Sequence, residues 1–249
     1  MSFFVNKMRV TLAQISPKLS RSNLAEAVAI VVANKEKSDL IVFPELSLSG
    51  YMLQDKLVED AWCIDELAAI AELSIDVDIV VGAAIREGDA FKNAALYFSQ
   101  GRLLSKHDKV HLPNYGMFEE ARYFSAGEIF ESFLTRFGRV SMVVCEDLWH
   151  KSVHKDLIKQ NPDYIIALAA SPARGFSDSG LEIEEKWYAI IKSVALECKA
   201  QLIFVNRVGF EDGLGFWGGS CVVDAQANIV HKLPHYKKIV ERFEIEGKL

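Results

Sequence analysis

Three side chains in this 249-residue chain are suited to covalent chemistry, and each follows a short apolar run. Cys145 comes straight after Val140-Ser-Met-Val-Val144 and precedes Glu146-Asp147-Leu148-Trp149. A cysteine at the end of a buried strand, before a helix, sits on a sharp turn. The turn exposes the sulfur and offers backbone N–H groups of the kind an oxyanion needs in acyl transfer. A helix N-terminus there would also favour thiolate over thiol. Glu45 ends Leu40-Ile-Val-Phe-Pro44, where partial desolvation suits a carboxylate to general-base work. Lys109 lies just past the strand-like stretch Arg102–Lys106, placed to hold negative charge on a reacting oxygen. Taken singly, each has an ordinary alternative: an inert buried thiol, a helix cap or loop ion pair, a solvated lysine.

Other constellations are weaker. His150 and His154 stand four apart on an expected helix and can share a face, but there is no HExxH glutamate and no third ligand in sequence. His107 and His111 flank Lys109 on a strand exit, where that spacing carries no meaning. A Cys145–His150 dyad is possible on residue types alone.

The elements that must position these residues alternate. Strand-like runs cover Met8–Gln14, Leu40–Phe43, Asp78–Gly82, Tyr164–Leu168 and Leu202–Asn206. Helical spacing covers Ser22–Lys37, Asp55–Leu73, His150–Lys159 and Leu181–Lys199. Asn93–Ser99 with Arg102–Lys106, and Phe130–Phe137 with Arg139–Val144, read as hairpins around Gln100-Gly101 and Gly138. Strands at Trp217–Val223, Ile229–Lys232 and Lys237–Glu244 complete the tail. The segment His107–Gly127 has no clean period and is too long for a plain connection, so it is a functional-loop candidate. The pattern implies an α/β fold over residues 1–249 as one domain, with two sheets whose outer faces carry helices.

Composition narrows the function. Lys and Arg number 28 against 34 Asp and Glu, a net charge of −6, which argues against a nucleic-acid partner. Half the residues are hydrophobic, enough for a full core. The four cysteines, Cys63, Cys145, Cys198 and Cys221, form no CxxC pair and are too few for a disulfide scaffold. The apolar stretch in Met1–Lys7 is too short for a signal-peptide core, and the longest apolar run, Ile165–Ala170, cannot span a bilayer. A cytoplasmic protein with reduced thiols and no membrane association is expected.

Together the three residues resemble the nitrilase superfamily, the carbon–nitrogen hydrolases, which carry a Glu–Lys–Cys triad in this chain order. The matching stretches are Val42-Phe-Pro-Glu-Leu-Ser-Leu-Ser-Gly-Tyr51, Lys106-His-Asp-Lys-Val-His-Leu-Pro113 and Val143-Val-Cys-Glu-Asp-Leu-Trp149. Asn93-Ala-Ala, Phe204-Val-Asn-Arg-Val-Gly209 and Gly218-Gly-Ser-Cys-Val-Val-Asp224 support them. The resemblance implies a four-layer α-β-β-α sandwich and cysteine-dependent hydrolysis of a non-peptide C–N bond through a thioester, with no metal and no cofactor. Glu45 would be the base, Lys109 the oxyanion partner and Cys145 the nucleophile. A second glutamate, Glu120 rather than the adjacent Glu119, would orient Lys109 or the substrate.

Leu112-Pro-Asn-Tyr-Gly-Met-Phe-Glu-Glu-Ala-Arg-Tyr-Phe124, Cys145–Trp149 and Ala170-Ser-Pro172 are most similar to the glutaminase domains of glutamine-dependent NAD synthetases. That branch implies a small carboxamide such as glutamine or another ω-amide, with Tyr115, Glu146 and Ser171 binding it. N-carbamoyl amino acids, nitriles, or service as an ammonia-supplying subunit of a separate synthetase are the alternatives. No Ser-Gly-Gly-type ATP-pyrophosphatase loop is present; Ser177-Asp-Ser-Gly180 lacks the pattern. Two departures stand out: Ala173-Arg-Gly-Phe-Ser177 after the Ser-Pro pair, and Asp224-Ala-Gln-Ala-Asn228, without the glycine expected of the final hairpin. Trp187, Tyr188, Ile190, Ile191 and Val194 occupy several faces of the helix Leu181–Lys199. With the resemblance, they imply a homodimer or larger even-numbered assembly, with Ile191 as a probe of the interface.

Overall fold

The computed structural model describes residues 7–178 and 180–247; the Met1–Lys7 reading thus falls almost wholly outside the described residues. In the first half, the strands are β1 (Lys7–Gln14), β2 (Leu40–Val42), β3 (Asp78–Glu87), β4 (Ala90–Ser99) and β5 (Arg102–Asp108), with helices α1 (Asn23–Asn34), α2 (Leu57–Asp60), α3 (Ala68–Leu73) and α4 (Glu120–Tyr123). The second half has β6 (Ser132–Thr135), β7 (Gly138–Val144), helix α5 (Lys151–Gln160), β8 (Tyr164–Ala169), a small hairpin β9 (Phe176–Ser177) and β10 (Gly180–Leu181), and helix α6 (Glu182–Cys198). It ends with β11 (Gln201–Asn206), β12 (Val208–Glu211), β13 (Leu214–Trp217), β14 (Cys221–Val223), β15 (Ile229–Lys232) and β16 (Ile239–Glu246).

Two six-stranded sheets result, ordered β16-β1-β2-β3-β4-β5 and β15-β14-β11-β8-β7-β6. In each, three central strands run parallel and the outer ones antiparallel. The inner faces meet through Val10, Leu12 and Val80 of the first sheet and Val144, Ile166 and Val205 of the second. The outer face of the first sheet buries Ile41, Ile79 and Val81 under Ala27, Val31 and Ile70 of α1 and α3. That of the second buries Ile165, Ala167 and Phe204 under Leu157, Trp187, Ile191 and Val194 of α5 and α6. This is the four-layer α-β-β-α sandwich, in which strands buried on both faces read as unbroken apolar runs.

The structure corrects several sequence expectations. The helix expected over 55–73 is broken at Ala61–Cys63, because Trp62 joins the sheet: its N–H bonds the Ala84 carbonyl and its carbonyl accepts from Arg86. The strand expected at Trp217–Val223 is two strands parted by Gly218-Gly219-Ser220, and the β12–β13 hairpin before it was not expected at all. The glycine missing from the last turn is replaced by Ala227 at φ +67°, with the Asp224 carboxylate accepting from the Gln226 and Asn228 N–H groups. Of the apolar residues expected to spread over several faces of helix α6, Tyr188 and Ile190 are partly buried and three are covered within the chain. Trp187, Ile191 and Val194 all lie against their own sheet, and Ile191 is fully buried, so it cannot report on an interface.

Candidate active site

Glu45 stands at the C-terminal end of β2, and the backbone of Pro44–Leu46 crosses Gly82 of β3. A Cβ on Gly82 would lie 2.4 Å from the Leu46 nitrogen, so only glycine allows the approach. The Ser47 hydroxyl donates to the Gly82 carbonyl at 3.1 Å, and the Leu48 N–H bonds the same oxygen at 3.0 Å. Lys109 follows β5, with its N–H on the Asn93 carbonyl of β4 and its carbonyl accepting from Gly127. Cys145 follows β7 on a five-residue 3-10 turn, Cys145–Trp149, at φ +46°. That left-handed conformation is uncommon for a side-chain-bearing residue and marks the sharp turn at a strand end.

The three strand ends converge. The Lys109 ammonium, wholly buried, donates to Glu45 Oε1 at 2.7 Å and to Glu120 Oε1 at 2.8 Å. Asn93 Nδ2 bridges the same two carboxylates, at 2.8 Å and 3.4 Å. The Ala170 N–H, at the end of β8, donates to Glu45 Oε2 at 2.7 Å. The Tyr51 hydroxyl donates to Glu120 Oε1 at 2.5 Å. Glu120 is buried at the start of α4, whereas Glu119 is exposed beside Arg122.

Burial and charge set the protonation of this cluster. Burial opposes the Lys109 ammonium, but Glu120 and Glu45 outweigh it and hold its pKa well above the ordinary lysine value. Burial, reinforced by Glu45, raises the Glu120 pKa against the pull of Lys109. Burial first, then Glu45, push the Cys145 thiol up, and Lys109 counters only in part. Together these pulls favour the thiol over the thiolate, opposite to the pull expected of a helix N-terminus, and suit the sulfur to activation by a base.

Cys145 forms part of the lining of a cavity of about 260 Å³ whose walls include Tyr115, Glu146, Ser171, Arg174 and Lys186. The Tyr115 hydroxyl donates to Glu146 Oε2 at 2.9 Å, and partial burial with that carboxylate lifts its pKa to about 12. The Ser171 hydroxyl accepts from the indole N–H groups of Trp187 and Trp217, at 2.8 Å and 3.2 Å. With both acceptor positions used, Ser171 can only donate its own proton to a guest. Arg174, part of the departure noted above, places its guanidinium 5.2 Å from the Phe118 ring centre, and its buried Nε has no partner among the described residues.

Residue types and spacing assign no role to Asn93, Tyr51 or Arg174. Asn93 and Tyr51 sat inside the matching stretches; Arg174 was visible only as a departure. The histidines divide: His154 Nε2 bonds the Leu148 carbonyl at 2.8 Å, while His150 stacks on His111 at 3.6 Å between ring centres.

A four-layer sandwich with a Glu–Lys–Cys cluster at the strand ends between its two sheets defines a class, the hydrolytic enzymes of nitrilase-superfamily fold. The chain belongs to the carbon–nitrogen hydrolase family, whose model, described as carbon-nitrogen hydrolase, matches residues 9–242. Its relatives include the glutamine-dependent NAD(+) synthetase of Thermotoga maritima, 32% identical over 95% of this chain and 41% of that protein. The same enzyme of Acinetobacter baylyi is 29% identical over 98% and 46%. The chain thus spans less than half the length of these curated relatives. Among solved structures, the glutamine-dependent NAD+ synthetase of Acinetobacter baumannii superposes with a TM-score of 0.86 at 28% identity, over 97% of this chain and 46% of that one. A CN-hydrolase superfamily protein of Xanthomonas campestris, 21% identical, shares the fold at a TM-score of 0.84 over 97% and 91%. Among the described residues, no helix is long and apolar enough to cross a membrane.

Proposed function

We propose that this enzyme releases ammonia from the ω-amide of a small amino-acid-like carboxamide, glutamine in the first instance, through a thioester on Cys145. The observation that carries the reading is the meeting of Glu45, Lys109 and Glu120 in one buried hydrogen-bonded cluster electrostatically coupled to Cys145 at the cavity. Glu45 takes the thiol proton and the sulfur attacks the amide carbon. The Lys109 ammonium and the backbone N–H after Cys145 hold the tetrahedral oxyanion, each such donor contributing on the order of 3 kcal/mol. Protonated Glu45 returns its proton to the leaving nitrogen, ammonia departs, and a thioester remains. Water then attacks, Glu45 takes its proton, and the acid leaves as the thiol re-forms.

The cavity walls support an amino-acid-like guest. Glu146, with Tyr115, suits an ammonium, and Arg174 suits a carboxylate. Four unpaired cysteines and a thiol nucleophile suit a reducing compartment, so a cytoplasmic location is proposed. The same family resemblance favours an even-numbered homo-oligomer. The relatives' names support a second reading, in which the ammonia is passed to a synthetase. A panel of small amides, N-carbamoyl amino acids and nitriles, read by ammonia release, tests the substrate. Turnover of glutamine-like amides without carbon dioxide is expected; ammonia only with carbon dioxide, or only from nitriles, would replace the amide reading.

A further inference from the structure

The Asp147 carboxylate is wholly buried and accepts from four donors. Oδ1 takes the N–H groups of Val110 and His111, at 3.0 Å and 2.9 Å. Oδ2 takes the Val144 N–H at 3.0 Å and His107 Nε2 at 2.9 Å. A carboxylate only accepts, so the His107 proton on this bond sits on Nε2. Four donors fill the four lone-pair directions of the group, leaving it no capacity for substrate.

The positions of those donors give the arrangement its meaning. His107, Val110 and His111 bracket Lys109 on the first sheet's strand exit. Val144 is the residue before Cys145 on the second sheet's strand exit. One side chain therefore binds the backbone just after Lys109, the His107 side chain two residues before it, and the backbone immediately before the sulfur, across the seam between the sheets. His107 is held in turn by Phe130, its ring centre 5.0 Å away. The Lys109 side chain is tied to the carboxylate cluster, whose link to the second sheet runs through Glu45 to the Ala170 N–H after β8; Asp147 adds a link to the strand exit that carries the sulfur itself.

We infer that Asp147 is a positioning residue that sets the separation of Lys109 and Cys145 across the two sheets. It touches neither substrate nor reacting atoms and acts through the two backbones it joins. The inference rests on the proposed roles of Lys109 and Cys145, so the test reads the sulfur directly as well as turnover. In Asp147→Asn, an amide NH2 faces donors where an oxygen stood, and the link between the two strand exits loosens at one of its ends. A misplacement near 1 Å costs on the order of 100-fold in rate, so kcat should fall by about that factor with KM little changed.

The second readout is the pH midpoint of Cys145 alkylation by iodoacetamide, without substrate. Because Lys109 favours thiolate, the midpoint should rise in Asp147→Asn. It should not rise further when Asp147→Asn is added to Lys109→Met, since the lysine through which Asp147 acts is gone. An equal rise in both backgrounds, or a folded Asp147→Asn protein with unchanged kcat and midpoint, overturns the inference. Should Asp147→Asn not fold, His107→Phe removes a single donor. It should raise the midpoint in the same direction by less, and an unchanged midpoint in that folded variant overturns the inference equally. If Cys145→Ala left turnover intact, the functional reading would fail while the alkylation cycle still reported on Asp147.

Discussion

Replacing Glu45 with Gln separates its two effects on Cys145, which have opposite signs. The carboxylate is the proposed base, yet its charge also raises the thiol pKa. Oε1 serves Lys109 and Asn93, and Oε2 serves the Ala170 N–H. Glutamine has one oxygen, and its less costly orientation keeps that oxygen toward Lys109 and Asn93. The buried Ala170 N–H then loses its acceptor, at a cost of about 1–3 kcal/mol. For a chain of this size each kcal/mol moves Tm by roughly 2–4 °C, so Tm should fall by no more than roughly 12 °C. Removing one of two carboxylates that share a single ammonium offsets part of this. Turnover should drop roughly 10²–10⁴-fold, the range for an acid–base group. Alkylation of Cys145 in the same protein should become easier, with its pH midpoint lowered. Stopped-flow ammonia release and iodoacetamide labelling, run side by side with calorimetry, measure all three. A variant that keeps near-wild-type turnover, or whose alkylation midpoint rises, would refute the assignment of Glu45.

Lys109→Met should cost roughly 10²–10³ in kcat as an oxyanion donor and raise the alkylation midpoint, opposite in sign to Glu45→Gln. Cys145→Ala should abolish turnover, and a rapid quench of the unaltered enzyme with substrate should show an acyl mass increment on Cys145 alone; labelling of Cys63, Cys198 or Cys221 would contradict this. Ile191→Lys buries an unpaired charge under α6 and should cost at least about 4 kcal/mol, so circular dichroism should show loss of fold and not a folded monomer. Light scattering over a dilution series should report an even multiple of the chain mass, and a constant single-chain mass would exclude the assembly.

The fold was readable where periodicity reflects burial. Buried strands such as Leu40–Val42 and Tyr164–Ala169 announce themselves as apolar runs, and the two-sheet sandwich follows from their alternation with helices. Periodicity failed at Trp62, because a helix and a chain that leaves the helix to bridge a sheet can keep the same apolar side inward. The β12–β13 hairpin does carry a local signal: Asp212-Gly213, at φ +47° and +78°, is a two-residue turn of the kind that joins antiparallel strands. At the site, residue types at strand ends identified Glu45, Lys109 and Cys145 because each motif is local. The partners of those residues are not local. Asn93 lies 48 positions from Glu45, and His107 lies 40 from Asp147. Strand order within the first sheet brings the first pair within hydrogen-bond reach, packing of the two sheets face to face brings the second, and no spacing rule along one strand encodes either.

The pairing of β16 with β1 has a consequence for how the chain is made. All eight residues of β1 pair with β16, from Lys7 with Glu246 to Gln14 with Ile239. During synthesis at about 5–20 residues per second, β1 must wait roughly 10–50 s for that partner to leave the ribosome. Through that interval β2 can cover one edge of β1, but the other stays open, with Val10 and Leu12 short of their final cover. An open apolar edge is a template for any other strand nearby. The N-terminal sheet therefore completes last although it is translated first, and the nascent chain is most exposed to misassociation while its C-terminal strand is still unmade.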